Sequence, residues 1–500
     1  MDYLEIRNNE TADLDKIPVL DYDGFRSLIL SWIHGHDSFH CINYFGIPEE
    51  SGIRPVCLIA DDETGTIRIM SYRLKSPYSP ILSMSNEYRG FNAFERELYE
   101  NHGIPFIDHP WLKPLRYPFN RVNQGQVMNN YPFFGIESEE LHEVAVGPIH
   151  AGIIEPGHFR FICNGEQIIH LEIQHGYQHR GIEDLFLRKK KLSERITLSE
   201  SIAGDTAVGH ASAFSWLWES MHGIDTPVQF QFERTLALEL ERMAIHTGDL
   251  AAICTDVAYQ LGNAVLGRLR TPLVNFFQEW CGNRIAKSLV RPDFSFYPFT
   301  DQLASRLLSI LTLYEKDLDE IWQRIKSLPS MLSRLERTGV VTYEQVRDIG
   351  AVGMAARMAG LGRDTRKSHP FGLYLGTDHH PITKRHGDVY SRTQIRYEEI
   401  KQSMEAIRQC LGMPIPARSE KIELKKPAPG KLGVSLVEGW RGEICHCAVT
   451  DEKGELIVYK IKDPSIHNWL ALALSVRENE ISDFPVNNKS FNLSYCGFDL

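Results

Sequence analysis

Over residues 301–328 the apolar side chains Leu303, Leu307, Ile310, Leu311, Tyr314, Leu318, Ile321, Ile325 and Leu328 recur at intervals of three and four. That spacing draws one apolar stripe down a long helix, and such a stripe is stable only when other helices cover it. Leu236, Leu240, Met243, Thr247 and Leu250 repeat the spacing and predict a helix over 232–252; Ile400, Met404 and Ile407 mark another. Residues 185–420 therefore read as a helical bundle.

The flanks carry a different period. RPVCLIADDETGTIRIMSYRL (54–74) alternates apolar side chains about an Asp-Glu-Thr-Gly turn and predicts a β-hairpin. FNAFERELYENHGIPF (91–106) reads as a short helix ended by Gly103, and HPWLKPLRYPFNR (109–121) as a Pro-punctuated connector. A second hairpin is predicted over HFRFICNGEQIIHLEI (158–173), turning at Asn164-Gly165. In the tail, ICHCAV and ELIVYKI read as strands on either side of Asp-Glu-Lys-Gly, and HNWLALALSVREN (467–479) as a helix. The expected fold class is α+β. An N-terminal α/β domain occupies 1–125, a linker 126–142, and a mainly helical bundle with peripheral β-hairpins 143–500.

The formal net charge of −11 and the lack of any basic run longer than Arg188-Lys189-Lys190-Lys191 exclude nucleic acid as a partner. Neutralising phosphates requires a basic face, and this run reads as a solvated helix end. MDYLEIRNNE lacks the basic start and apolar core of an export signal. No window approaches the ~20 apolar residues that cross a bilayer. The expectation is a cytoplasmic chain that reaches the inner membrane peripherally, through partners. Nine cysteines without any C-x-x-C spacing read as reduced, mostly buried thiols. In Cys445-His446-Cys447, strand alternation turns His446 away from both thiols, which argues against a metal there.

One stretch resists a generic reading. ESIAGDTAVGHASAF (200–214) is small, polar and glycine-bearing, and reads as a tight turn ending at Gly209-His210 ahead of a helix-like run. It falls within an ordered series of segments: VGPIHAGIIEPGHFR (146–160), HRGIEDL (179–185), ELERMAIHTGDL (239–250), GLGRDTRKSHPFG (360–372), GDVYSRTQIR (387–396), EGWRGEICH (438–446) and NWLALALSVRENEISDFP (468–485). This series resembles the large subunit of membrane-bound, energy-converting nickel–iron hydrogenases of the formate hydrogenlyase type. That subunit is related in turn to the quinone-site subunit of complex I. FERELYENHGI and DHPWLKPLRYP resemble the end of the small hydrophilic (30-kDa-like) complex I subunit, fused here at the N-terminus.

In that family the stretch similar to ESIAGDTAVGH reads E-R-V-C-G-I-C-G-x-x-H, and its cysteines bind nickel and iron. A second pair comes from a C-terminal D-P-C-x-x-C-T-D-R. The resemblance places Ala203 and Thr206 at the first pair and, aligned on Asp499, Ser494 and Gly497 at the second, with Cys496 one position out of register. Thiolates are the soft ligands such metals select, whereas methyl and neutral hydroxyl groups are not. The resemblance thus implies a degenerate metal site and no cofactor bound by this chain.

The rest of the family's site persists. Glu155 matches a glutamate beside the metal and either relays protons or caps the turn before the hairpin. Arg441 matches an arginine over the site, free to pair with Glu155, Asp499 or an anionic head group, or to form a structural ion pair. His150, His158 and His210 lie in the matched segments and are either proton-coupling groups or structural histidines. His150 and His210 are the candidates for contact with a quinone or the pocket. The complex I loop carries a second histidine close behind the first, whereas Ala151 to Gly157 intervene here. His179, Arg180 and Glu183 resemble the segment facing the iron–sulfur subunit, where they tune a cluster's potential or form an interface salt bridge. Asp364, Arg366 and His369 resemble an inner loop to which the sequence gives no role.

The catalytic candidates are therefore Glu155, His158, Arg441 and Asp499. The expected function is a large subunit of a membrane-attached, complex I-like oxidoreductase without its own nickel–iron centre. It would sit in a hetero-oligomeric complex with a small iron–sulfur subunit and antiporter-like membrane subunits, and leave room for a quinone. A working nickel–iron hydrogenase and a non-catalytic assembly scaffold are the alternatives.

Overall fold

The computed structural model describes residues 2–50, 52–74, 76, 79–150 and 154–500. Its architecture is α+β, as the two sequence periods require. The hairpin expected over 54–74 forms as Gly52–Asp61 and Thr66–Tyr72, joined in register from Asp61↔Thr66 to Val56↔Ser71. These strands sit inside a five-stranded sheet with Leu4–Ile6 and Phe39–Glu49 on its outer flanks and Val19–Leu20 alongside Thr66–Tyr72. The helix Tyr22–Gly35 buries Phe25, Ile29, Leu30 and Ile33 and is capped where Asp21 accepts from the Gly24 N–H. Asn92–His102 ends at Gly103 in the left-handed region (φ 70°), where glycine carries no Cβ penalty.

A second, four-stranded sheet runs Leu456–Lys462, Gly442–Thr450, Lys431–Gly439 and then Thr11–Asp13. The last pairing joins Asp13 to Lys431 and Ala12 to Leu432, so the N-terminal segment completes a sheet of the C-terminal region. One face of this sheet packs on the first sheet. Ile42, Val56, Leu58 and Ile69 meet Leu432, Val434, Leu436, Cys445 and Cys447 in one core. On the other face, Phe214, Leu217 and Met221 of the helix Ala207–Met221 pack with Ala448, Tyr459 and Ile461. Strand alternation thus sends Cys445 and Cys447 to one side and His446 to the other, and the two thiols lie 3.7 Å apart. All nine cysteines are free and buried.

The helical body holds Val228–Asp256, Gln260–Cys281, Asp301–Ile325 and Val389–Leu411 around the largest core. The stripe of the third helix is buried as expected through Leu307, Leu311, Tyr314, Leu318 and Ile325. The helix stops at Ile325, and Leu328, at the N-cap position of the following helix Pro329–Leu335, still packs against the same core. Val228–Asp256 is covered on every side, so its polar residues point inward too. Glu239, Arg242, His246 and Asp249 are all at least nine-tenths buried. The hairpin His158–Asn164 and Gln167–Gln174 forms as predicted, with His142–Val146 added beside it.

Candidate functional site

The stretch 200–214 does not end its turn at Gly209-His210. The helix begins at Ala207, so both residues lie in its first turn. Thr206 supplies no side-chain cap. Glu241 of Val228–Asp256 takes that role from outside, accepting from the N–H groups of Val208 (2.8 Å) and Gly209 (3.2 Å). Gly209 is required by space: a Cβ there would lie 2.9 Å from Ile444 Cδ1 and from Thr206 Cγ2. Burial pushes the Glu241 carboxyl up to about 8, against the two N–H groups that favour its charge. Near neutrality it holds its proton.

His210 follows, fully buried, with both ring nitrogens engaged. Its Nε2 lies 3.1 Å from Asp463 Oδ2, and its Nδ1 lies 3.1 Å from His446 Nε2. His446 Nδ1 in turn lies 2.8 Å from the Tyr459 hydroxyl. Burial raises the Asp463 carboxyl, but the His210 hydrogen bond and charge outweigh it and leave the group lowered, hence an acceptor. Burial, then the neighbouring His210, holds His446 well below the usual histidine value, so it carries one ring proton. Burial keeps Tyr459 protonated. With those identities fixed, two proton arrangements keep all three contacts hydrogen-bonded, and only the first also gives the Tyr459 proton an acceptor among the described residues. In one, Tyr459 donates to His446, His446 to His210 and His210 to Asp463. In the other, His210 carries a second proton and donates at both ends, and His446 turns its own proton to Tyr459. The row Asp463–His210–His446–Tyr459 is thus one continuous buried chain of hydrogen bonds, and the two arrangements differ by one proton.

The four positions of the expected metal ligands gather beside this row. Ala203 is fully buried, and its carbonyl accepts from the Thr206 N–H (3.0 Å). The Thr206 hydroxyl accepts from Arg441 Nη1 (3.0 Å). The Ser494 hydroxyl accepts from the Gly497 N–H (2.9 Å), capping the five-residue helix Tyr495–Asp499. Gly497 lies against Asp463, and a Cβ on it would come within 2.6 Å of Asp463 Oδ2 and 2.8 Å of Ser494 Oγ. Cys496 is buried, with its sulfur 3.5 Å from Ser494 Oγ and its thiol pushed up to about 11 by burial and then by Glu155. A methyl group, two occupied hydroxyls, a position closed to any side chain and one protonated thiol do not fit a nickel–iron centre. Among the described residues no group of three or more His, Cys, Asp or Glu side chains is placed to hold a metal ion.

Arg441 pairs with neither Glu155 nor Asp499. It grips Asp205 through Nη1 (2.6 Å) and Nη2 (2.7 Å), donates from Nε to the Asn492 carbonyl (2.6 Å) and stacks on Trp440. Burial alone would raise Asp205, but the guanidinium more than offsets it. The Asp205 side chain keeps 38% of its surface, so this pair is the rim of the site. Glu155 accepts from the Cys496 N–H (3.1 Å). Asp499 accepts from the Gly176 and Gln178 N–H groups (2.8 and 2.7 Å), and burial still lifts its carboxyl to about 6. His179 Nδ1 meets the Asp499 carbonyl at 2.8 Å. Arg180 donates to the carbonyls of Ser201, Ile202 and Cys496, tying the two ligand-position segments together. Glu183 pairs with Lys460 at 2.9 Å.

His150 and His158 are bound up in their own loop: His150 Nε2 lies 2.8 Å from the Gly157 carbonyl, and His158 Nδ1 3.2 Å from that of Gly147. Part of the spacer between them, residues 151–153, lies outside the described residues. The inner loop gains a role. Asp364 pairs with Arg366 (2.7 Å), Arg357 (3.4 Å) and His379 (3.2 Å). Glu239, Glu399 and Glu438 extend this buried ion network. It reaches the site through His246, Arg396, Asp249 and Asn492, whose amide donates to Asp249 at 2.6 Å. His369 instead faces the N-terminal hairpin, 3.2 Å from the Thr66 carbonyl.

Residues 263–432 match the family model of the respiratory-chain NADH dehydrogenase 49 Kd subunit. The chain is 28% identical over 346 residues to the carbon monoxide-induced hydrogenase of Rhodospirillum rubrum, covering 69% of this chain and 95% of that one. It is 28% identical over 366 residues to formate hydrogenlyase subunit 5 of Escherichia coli, and spans 62% of that protein's length. It is 25% identical over 460 residues to NADH-quinone oxidoreductase C/D of Phocaeicola vulgatus, covering 83% of this chain and 85% of that one. This last match takes in more of the chain than the two hydrogenase matches do. The chain thus carries a region like the complex I 49 kDa subunit, and its relatives are subunits of hydrogenases and of NADH-quinone oxidoreductases. Among the described residues no helix is long and apolar enough to cross a membrane.

Proposed function

We propose that this chain is the large, hydrogenase-like subunit of a membrane-attached oxidoreductase complex, and that it handles protons rather than hydrogen. The observation that carries this reading is the buried row Asp463–His210–His446–Tyr459 beside the buried positions Gly497, Thr206 and Ser494. The row links an ionised carboxylate, two imidazoles and a phenol in one buried hydrogen-bonded path for the uptake and transfer of a proton. Negative charge arriving next to it favours that uptake, because the dielectric inside a protein screens little. Burial lifts the nearby carboxyls of Glu241 and Asp499 to about 8 and about 6, and Arg441 with Asp205 fixes the rim.

No nickel–iron centre belongs to this chain in the proposal, and it cleaves no hydrogen itself. Its partners are a small iron–sulfur subunit on the side of His179, Arg180 and Glu183, and antiporter-like membrane subunits that hold it peripherally at the inner membrane. The relatives' membership of hydrogenases and NADH-quinone oxidoreductases supports that setting.

Metal analysis of the purified complex tests the first half: iron without stoichiometric nickel is expected, and one nickel per chain would overturn it. The second half rests on His210→Gln in the assembled complex. Electron transfer should fall and lose its dependence on pH while the complex stays intact. Unchanged transfer with an unchanged pH profile would leave the chain as an assembly scaffold.

A further inference from the structure

Phe498, between Gly497 and Asp499, also lines a cleft of about 430 Å³ that opens between Asn92–His102, Gln167–Gln174 and Ser465–Ser475. Its size is that of a small-molecule pocket. His175 and His467 line it and are 8% and 4% exposed, yet His175 Nδ1 and His467 Nε2 have no hydrogen-bond partner among the described residues. Buried polar atoms left unsatisfied are costly, and their presence on a cleft wall points to a ligand that completes them. Burial holds both rings well below the usual histidine value, and Arg96 adds to this at His175. They are neutral groups in a positive field.

Arg96 and Arg477 line the same cleft. The local carboxylates are already taken, Glu172 by Lys113 and Asp348 by Arg89. Arg96 spends Nε and Nη2 on the carbonyls of Lys113 and Pro114, and Arg477 stands exposed at the mouth. Neither meets a carboxylate among the described residues. Aromatic side chains line the cleft as well: the His175 ring sits 4.8 Å from Trp469 and 4.0 Å from Phe498, and the partly exposed Trp111 and His170 rings lie 6.0 Å apart.

We infer that this cleft binds a small planar aromatic anion, with its ring against the aromatic side chains that line it and its charged group at Arg96, Arg477 and the unpartnered histidine nitrogens. Stacking supplies the ring's affinity and the unpaired guanidinium groups select the charge. Nothing in this inference depends on how the proton row is used.

Benzoate titrated into the purified full-length chain by calorimetry tests it, against benzyl alcohol (ring without charge) and inorganic phosphate (charge without ring). Saturable benzoate binding is expected, at least about tenfold tighter than either comparison, as a charge-assisted contact requires. Arg477→Ala should weaken it about tenfold at an unchanged unfolding temperature, and Ala473→Trp should abolish it by filling the cleft. Absence of saturable binding to the unaltered chain would overturn the inference. So would affinity indifferent to Arg477→Ala, or phosphate binding as tightly as benzoate.

Discussion

Removing one oxygen from Tyr459 probes the proton row without disturbing its packing, since the ring stacks on Phe186 at 4.0 Å. Tyr459→Phe leaves His446 Nδ1 without a partner, which costs about 1–3 kcal/mol in urea unfolding. If the row works as proposed, proton-coupled turnover drops as well. Glycines sort by the space around them. Gly209→Ala pushes a methyl group against Ile444 and Thr206 and is expected to lose about 1–3 kcal/mol. Gly204→Ala, where nothing lies within 4 Å, should be within about 1 kcal/mol of neutral. Glu241 fixes a sign in pH. Its carboxyl rises from 4.5 to about 8 on folding, so between those values the folded chain binds more protons than the unfolded one. Stability therefore falls as pH rises through that window, and Glu241→Gln should flatten the slope in unfolding titrations. Asp499 acts with the same sign between 3.8 and about 6. At this scale the sequence pointed to His210, Glu155 and Asp499 because they stand in motifs. Asp463, His446 and Tyr459 carry no local sequence signal that marks them as site residues. The one available signal was alternation: it turned His446 away from the two thiols, and the face it turned toward is that of His210.

Elements were legible where periodicity was long and unbroken. Leu307, Leu311 and Leu318 sit on the stripe that identified Asp301–Ile325, and Leu311→Ala should lose about 2–5 kcal/mol by opening a cavity in a fully buried row. Thr300, whose hydroxyl accepts from the Leu303 N–H at 3.3 Å, is worth about 1 kcal/mol as a cap by the same measurement. Gln260–Cys281 escaped sequence reading because Gly262, Gly267 and Pro272 interrupt it. Packing overrides those breaks: Gly262 gives way to Cys254 and Tyr259, which a Cβ would meet at 2.7 and 2.5 Å. The strand Lys431–Gly439 also escaped. Buried on both faces, it shows no polar alternation.

For the whole molecule, the contact between distant segments is what sequence patterns do not carry. Residues 1–125 read as a mixed α/β unit, yet Thr11–Asp13 lies in the C-terminal sheet. Ala12, 3% exposed and paired with Leu432, measures that dependence. Ala12→Pro should raise amide exchange across Lys431–Gly439 by more than about tenfold, since proline removes a ladder donor and local opening follows. Unchanged protection there would show that the edge strand is dispensable. The buried ion network around Asp364 and Arg357 is likewise a product of assembly. Its members come from four separate stretches of chain, so no single segment displays it.

That edge pairing also sets a schedule for synthesis. Asp13 and Lys431 are 418 residues apart. At ~5–20 residues per second, the first strand leaves the ribosome on the order of 20–80 s before its neighbour exists. During that interval its backbone offers open hydrogen-bonding groups to any other nascent chain. Slow closure of so long a loop makes the newborn polypeptide a client for holding chaperones.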